Sequence, residues 1–365
     1  MLQKRYRVLL FIASIALVIF GIIMIYSASY IWADYKFNDS FKYVKQQLLF
    51  FILGIFLIYF VSKIDYKVYY KKANIFLIIC LLLLVLVLIP GIGVVRNGSR
   101  SWFGIGSFGI QPSEAVKLAM ILWVSKYLSN TNKVYKGIKP VLPVLILVML
   151  VFGLIMLQPD FGTGVILVMA IVMLLFVAGV NMKYFYILFA IGVVGSIGLI
   201  IIAPYRMSRI TSFLNPWNDP LGSGFQIIQS LYAIGPGGLL GFGFLNSRQK
   251  HFYLPEPQTD FIFSIICEEF GVIGALFVIL MFFIIAYCGI ILALKEDDLF
   301  KKYLIFGLTF QIIFQAILNL CVVVGLIPVT GVTLPFISYG GSSLLISMLS
   351  IGIILNVSRN ANLKL

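Results

Sequence analysis

The chain has 365 residues, 61% of them hydrophobic and only 11% charged, with a mean hydropathy of +1.08. A soluble domain carries about 45–50% apolar and about 25% charged residues, so these proportions exclude an ordinary soluble fold. The excess of 27 Lys and Arg over 13 acidic residues would suggest nucleic acid in a soluble chain, but in a membrane protein its distribution has to be read first.

Apolar runs suggest spans near 8–29, 45–62, 74–90, 113–129, 140–157, 163–180, 184–203, 259–293, 300–325 and 338–357, about ten helices in all. At these lengths only helices satisfy the backbone in lipid, so the fold class is all-α, a polytopic membrane protein. The basic start Met1 to Arg7 and the following apolar run of about twenty residues read as a retained signal anchor, because the run is too long for a cleaved signal peptide. With the N-terminus inside, about seventeen of the 27 basic residues fall on cytoplasmic segments, among them Lys4, Arg5, Arg7, Lys133, Lys136 and Lys364. Both termini are therefore expected to be cytoplasmic. The net charge becomes largely topological, which leaves little reason to invoke nucleic acid.

The outer side then receives the loops 30–44, 91–112, 158–162, 204–258 and 326–337. Residues 204–258 form far the longest of these inside a single domain spanning 1–365, and long ordered loops tend to be functional. Within it, Phe225, Ile228 and Leu231 fall at helical spacing and predict a short amphipathic helix lying on or dipping into the outer leaflet. The glycine-rich run Gly235 to Gly243 reads as tight turns that let the backbone approach a neighbour. As a phosphate loop it is weak, since no strand precedes it.

Tyr253 to Phe263 leads from this loop into the eighth span. Pro255 and Pro257 stiffen the approach, so a helix is expected to begin after Pro257, with Thr259 as N-cap and Asp260 in the first turn. A carboxylate there either answers the helix dipole or serves as a general base at the membrane surface. The run 259–293 would measure about 52 Å as one straight helix, against about 30 Å of hydrocarbon. A bend near Gly271 or Gly274 is expected, lifting Glu268 and Glu269 out of lipid.

Other polar groups mark the same side. Gln111-Pro112-Ser113-Glu114 opens the fourth span, with Glu114 and Lys117 facing each other at i, i+3, either as a self-neutralising pair or as part of a site. Asp160 follows Gln158-Pro159 and reads as a cap or a further site group. Arg96, Arg100, Arg206, Arg209, Arg248 and Lys250 cluster on the outer side against the positive-inside trend, either as solvated loop charges or for an anionic ligand, since arginine forks suit phosphate oxygens. The four cysteines lie in apolar runs without Cys-x-x-Cys spacing, and one histidine, His251, rules out a His-cluster site, so no protein-built metal site is expected.

Five stretches in order, Asn97 to Trp102, Gln111 to Glu114, Gln158 to Thr163, Leu254 to Phe263 and Pro335 to Ser343, resemble the SEDS family of peptidoglycan glycosyltransferases, over nearly the whole chain. Asn215-Pro216-Trp217, Asp219-Pro220 and Asn246 to Lys250 resemble its FtsW/SpoVE branch. The resemblance implies polymerisation of lipid II into glycan strands at the outer face of the cytoplasmic membrane, in cell division or sporulation. It implies Asp260 as the essential catalytic carboxylate and Glu114–Lys117 as the supporting ion pair. Arg100, Gln111, Asp160, Arg248 and Lys250 are the candidates for holding substrate, and a divalent cation, Mg or Mn, could assist the departing diphosphate. The implied partners are a class B penicillin-binding protein and other division or sporulation membrane proteins. A lipid II flippase is the competing expectation, although transport would place ionisable groups nearer the midplane.

Overall fold

The computed structural model describes every residue except 1, 97, 106–107, 131–137, 203 and 360–365. Asn97, Lys133, Lys136 and Lys364 thus lie outside the described residues, as do the side chains of Arg96 and Arg206.

Each apolar segment folds as a helix: α1 (Leu2–Phe37), α2 (Lys42–Val61), α3 (Tyr66–Leu86), α4 (Pro112–Asn130), α5 (Leu142–Met156), α6 (Phe161–Val177), α7 (Met182–Ile202), α10 (Ile262–Leu294), α11 (Leu299–Val323) and α12 (Gly341–Val357). The long loop adds α8 (Pro204–Leu214) and α9 (Phe225–Ile234). α1, α2, α3, α10 and α11 are each long and apolar enough to cross a membrane. The chain is a multi-pass membrane protein.

The two ends of the bundle are distinct. At one end, the Asn356 amide at the close of α12 donates to the Ser62 and Ile64 carbonyls after α2. At the other, Gln47 at the start of α2 donates to the Ser338 carbonyl before α12. The turns 38–41 and 158–160, the long loop and the 324–340 segment all gather at this second end.

α4 is the hub, packed against α3, α6, α11 and α12, and most of its residues are buried. That location explains how a helix with a lysine in its second turn stays inside the bundle: its surroundings are protein, not acyl chains. α3 starts eight residues before the expected span because the Asp65 side chain accepts the Lys67 N–H and caps it.

Residues 91–111, read from sequence only as a loop, form a small antiparallel sheet of β1 (Val94–Arg96), β2 (Ser99–Ile105) and β3 (Phe108–Ile110), ordered β1-β2-β3. Ser99 donates to the Gln158 carbonyl, tying the sheet to the turn between α5 and α6.

α9 forms where a short amphipathic helix was expected, but it packs on protein. Ile227, Ile228, Ser230 and Ala233 are buried against α10 and α11, whereas Leu231 lies outward. Ser230 Oγ pairs with Ser264 Oγ at 2.8 Å and donates to the Val323 carbonyl at 2.6 Å. The polar Ser230 is thus the centre of the packed face, because its partners lie on protein rather than at a lipid surface.

The bend in α10 is at Gly271, with φ 59° and ψ −151°. Glycine is required there twice over: the backbone is left-handed, and a Cβ would come within 2.6 Å of the Gly238 carbonyl oxygen and the Gly241 nitrogen. The glycine-rich run packs directly on the bend, with Phe242 N–H donating to the Glu268 carbonyl and Gly243 N–H to that of Glu269.

Candidate active site

Asp260 stands just outside α10. The helix begins at Ile262 with Phe261 as its N-cap, so Thr259 is not the cap and Asp260 is not in the first turn. Three successive carbonyls hold this backbone out of the helix. That of Gln258 accepts the Tyr339 N–H at 2.8 Å, that of Thr259 accepts Ser338 Oγ at 2.7 Å, and that of Asp260 accepts the Asn319 amide at 2.7 Å. The Ser338 hydroxyl also accepts the Leu334 N–H at 2.8 Å, and the Gln46 side chain pairs with the Tyr339 hydroxyl. The Pro335 to Ser343 stretch therefore clamps the approach to Asp260, and α2 braces the clamp.

The loop between α11 and α12 joins the remaining groups. A Cβ at Gly331 would lie 3.7 Å from the Asp260 carboxylate, and Gly331 has φ +72°. The neighbouring Thr330 and Val332 press on Gly162 at the start of α6, where no side chain larger than glycine's fits. Arg209 of α8 donates to the Val329 carbonyl at 3.0 Å.

Asp160 caps α6, accepting the Thr163 N–H at 3.2 Å, and its other oxygen accepts the Gln111 amide at 2.8 Å. One turn into α4, Lys117 Nζ donates to Glu114 Oε1 at 2.9 Å and to Gln315 Oε1 at 2.8 Å, with Lys117 only 1% exposed. Gln315 passes the connection on by donating to the Thr333 carbonyl at 3.1 Å.

Burial first, then the charges of Glu256 and Asp160, push the Asp260 carboxyl up to about 6 against the opposing charge of Arg209. The Asp160 carboxyl is also raised, first by burial and then by Glu114, against the Thr163 hydrogen bonds and Lys117. The charges of Asp260, Asp160, Glu114, Lys117 and Arg209 thus act on one another at one end of the bundle.

The other sequence candidates lie apart from this group. Lys250 is turned inward, its Nζ 2.8 Å from Glu269 Oε1, with both side chains 0% exposed. The Ser27 hydroxyl donates to the same Glu269 carboxylate at 2.6 Å, and Glu268 accepts the Ser247 hydroxyl at 2.5 Å and the Arg248 N–H at 2.7 Å. This cluster bolts the long loop to α1 and to the α10 bend, and it is what takes Glu268 and Glu269 out of lipid. The Arg248 guanidinium stacks over Phe242 at 5.0 Å. Arg100 reaches the Leu88 carbonyl at 3.5 Å. Arg209 is the basic side chain whose charge acts on Asp260.

Gln46, Gln315, Asn319 and Ser338 were not singled out from sequence. The readable signal was on α11, where Gln311, Gln315 and Asn319 recur at i, i+4, i+8 in an apolar span. Among the described residues, no three His, Cys, Asp or Glu side chains converge on a point where they could hold a metal.

Residues 7–363 match the cell cycle protein family of FtsW, RodA and SpoVE. The chain belongs to this family. Stage V sporulation protein E of Bacillus subtilis (strain 168) is 52% identical over 352 residues, 96% of each chain. The probable peptidoglycan glycosyltransferase FtsW of Trichlorobacter lovleyi is 40% identical over 362 residues, covering 99% of this chain and 94% of that one. A solved peptidoglycan synthase complex that coordinates polymerization and crosslinking contains a chain of the same fold, with TM-score 0.79, 30% identity and coverage of 97% and 98%. The rod shape determining protein RodA of Thermus thermophilus superimposes with TM-score 0.72, 26% identity and 97% coverage of both chains. The overall fold is thus shared with solved members of the family.

Proposed function

We infer that the chain is a peptidoglycan glycosyltransferase that joins lipid II units into glycan strands, with Asp260 as its general base. The observation that carries the assignment of Asp260 is the clamp on its backbone: three consecutive carbonyls are held by donors from two other segments, while burial pushes the carboxyl up to about 6. A general base works best when its pKa lies close to the working pH and its position is fixed in advance.

The chemistry balances in one displacement. The acceptor 4-hydroxyl oxygen attacks the donor's anomeric carbon, the bond from that carbon to the diphosphate oxygen breaks with its electron pair, and Asp260 takes the hydroxyl proton. One displacement inverts an α-linked donor to a β-1,4 product. Arg209 is the group we assign to the leaving diphosphate, since its charge reaches the same point and a guanidinium pairs with phosphate oxygens in a fork. Gln111 and Asp160, bonded to each other at the mouth of α4, would orient substrate hydroxyls or amides. The Glu114–Lys117 pair supports this wall from below. If a divalent cation were recruited with the substrate, Asp160 and the substrate's phosphates would hold it, and it would supply neutralising charge for the departing diphosphate.

The positive-inside distribution supports an extracytoplasmic position for this end and cytoplasmic termini. A class B penicillin-binding protein fits as partner, in keeping with the solved synthase complex that coordinates polymerization and crosslinking and contains a chain of the same fold.

The deciding experiment is glycan-chain formation from labelled lipid II by the purified protein in lipid, with and without a cognate transpeptidase, beside Asp260→Asn. Chains from the wild type that vanish in a folded Asp260→Asn protein are expected. Full activity in the mutant removes Asp260 as base. Transfer of lipid II across liposomes without chain formation would make the protein a flippase.

A further inference from the structure

Two amides one turn apart on α11 do related work. Asn319 is 1% exposed, and its side-chain nitrogen donates two hydrogen bonds of 2.7 Å, one to the Asp260 carbonyl and one to the Val332 carbonyl. Gln315 donates to the next carbonyl, that of Thr333, while its own side-chain oxygen accepts from Lys117 Nζ. Gly331, the residue before Val332, lies against the Asp260 carboxylate.

We propose that Asn319 is a positioning residue for glycosyl transfer: with Gln315, it fixes the loop bearing Asp260 relative to the Glu114–Lys117 pair, using the 332–333 backbone as the connecting piece. The proposal rests on the reading of Asp260 as general base.

The amide's orientation argues for this role over simple packing. Asn319 Oδ1 is buried and has no hydrogen-bond partner among the described residues. Leaving a buried acceptor unpaired costs about 1–3 kcal/mol. A flip of the amide would aim that oxygen at two carbonyl oxygens, so the two acceptors dictate the orientation and leave Oδ1 orphaned. A leucine would fill nearly the same volume without that cost. What leucine cannot supply is the pair of donors, and these join points 59 residues and 13 residues away in the chain. Val332 and Thr333 are consecutive, so the two amides grip adjacent peptides and leave the loop little freedom to rotate. A displacement of the base by about 1 Å is enough to cost about 10²-fold in rate.

The test compares Asn319→Leu, Asn319→Gln and Asn319→Asp in the full-length protein in lipid, reading kcat, KM for lipid II and melting temperature. Expected is a kcat lowered by about 10²-fold in Asn319→Leu with KM changed by less than about threefold, and partial recovery in Asn319→Gln, which keeps both donors. Gln311→Leu, which removes an amide from the same helix face about two turns away, should stay within about threefold of wild type in kcat. A kcat near wild type in folded Asn319→Leu overturns the proposal, and so does a rise in KM alone. Should Asn319→Leu fail to fold, Asn319→Asp, the same size with both amide donors gone, carries the test, and an unchanged kcat there overturns it equally. An active Asp260→Asn protein would instead overturn the reading of the base itself, so the two failures are distinguishable.

Discussion

Replacing Lys250 with methionine separates two roles that the sequence leaves open for this residue. In the structure Lys250 and Glu269 are wholly buried, 2.8 Å apart, and Glu268 is adjacent in the chain, so one cation serves a pocket holding two carboxylates. Methionine matches much of the lysine stem but strands Glu269, and breaking a buried pair from one side costs about 3–5 kcal/mol. At about 2 °C per kcal/mol for a chain of this size, the apparent melting temperature in a fixed detergent should fall by roughly 5–10 °C. Adding Glu269→Gln should restore more than half of the loss, since the amide can still bond Ser27 and Ser247, and the remaining carboxylate, Glu268, keeps its hydrogen bonds from the Ser247 hydroxyl and the Arg248 N–H. Lipid II binding by the folded fraction should match wild type. A Lys250→Met protein that melts normally yet loses lipid II affinity would refute this reasoning and return Lys250 to the substrate.

Lys117→Met should be similarly destabilised, by about 3–5 kcal/mol, because it strands the buried Glu114 and removes the donor to Gln315; Glu114→Gln alongside it should recover expression but not polymerisation, and recovery of both would reduce the pair to scaffolding. Polymerisation should fall about tenfold per pH unit below about 6, as protonation of Asp260 removes the base; a rate flat between pH 5 and 8 would exclude it. Stability moves the other way. The folded carboxyl is raised from 3.8 to about 6, so its favourable contribution is complete below 3.8 and lost as pH rises through 6. Asp260→Asn should therefore melt higher than wild type at pH 8 and equally at pH 3.5, by at most about 3 kcal/mol and less after solvent screening of this partly exposed group. Gly271→Ala should cost about 2 kcal/mol or more, read as a lowered melting temperature, since it meets both a left-handed backbone and the Gly238 carbonyl.

The helices were legible because each is a long apolar run, and in lipid such a run has no other way to satisfy its backbone. The bend in α10 was legible for a different reason. A run too long to cross, with two glutamates near its start and Gly271 just after them, leaves few places for the chain to turn. The β1–β3 sheet was not legible, because its strands are as short as three residues and pair only within a turn of the chain, below any periodic signal. The spacing of Phe225, Ile228 and Leu231 located α9 but not the protein surface it packs on. Hydrophobic spacing identifies a helix's apolar side, but at Ser230 a buried hydroxyl with two partners outweighed a leucine at the rim.

The site shows the same division. Asp260, Asp160, Glu114 and Lys117 announce themselves as charges at the ends of apolar runs, where their burial would be expensive without a purpose. The basic residues could not be ranked in this way, because loop position says nothing about direction: Lys250 turns into the α10 bend, Arg248 onto Phe242, and Arg209 toward the loop beside Asp260. Asn319 and Gln315 fell between these cases. A neutral amide in a long apolar helix is cheap enough to pass as tolerated, and hydropathy averages it away. Its meaning emerges only when its partners are known, since each donates to a carbonyl in the α11–α12 loop and one reaches Asp260 as well. Polar residues repeating every four positions in a membrane helix therefore carry information that charge alone does not. They mark the face against which non-helical backbone is held, and in this protein the clamped backbone carries the carboxylate.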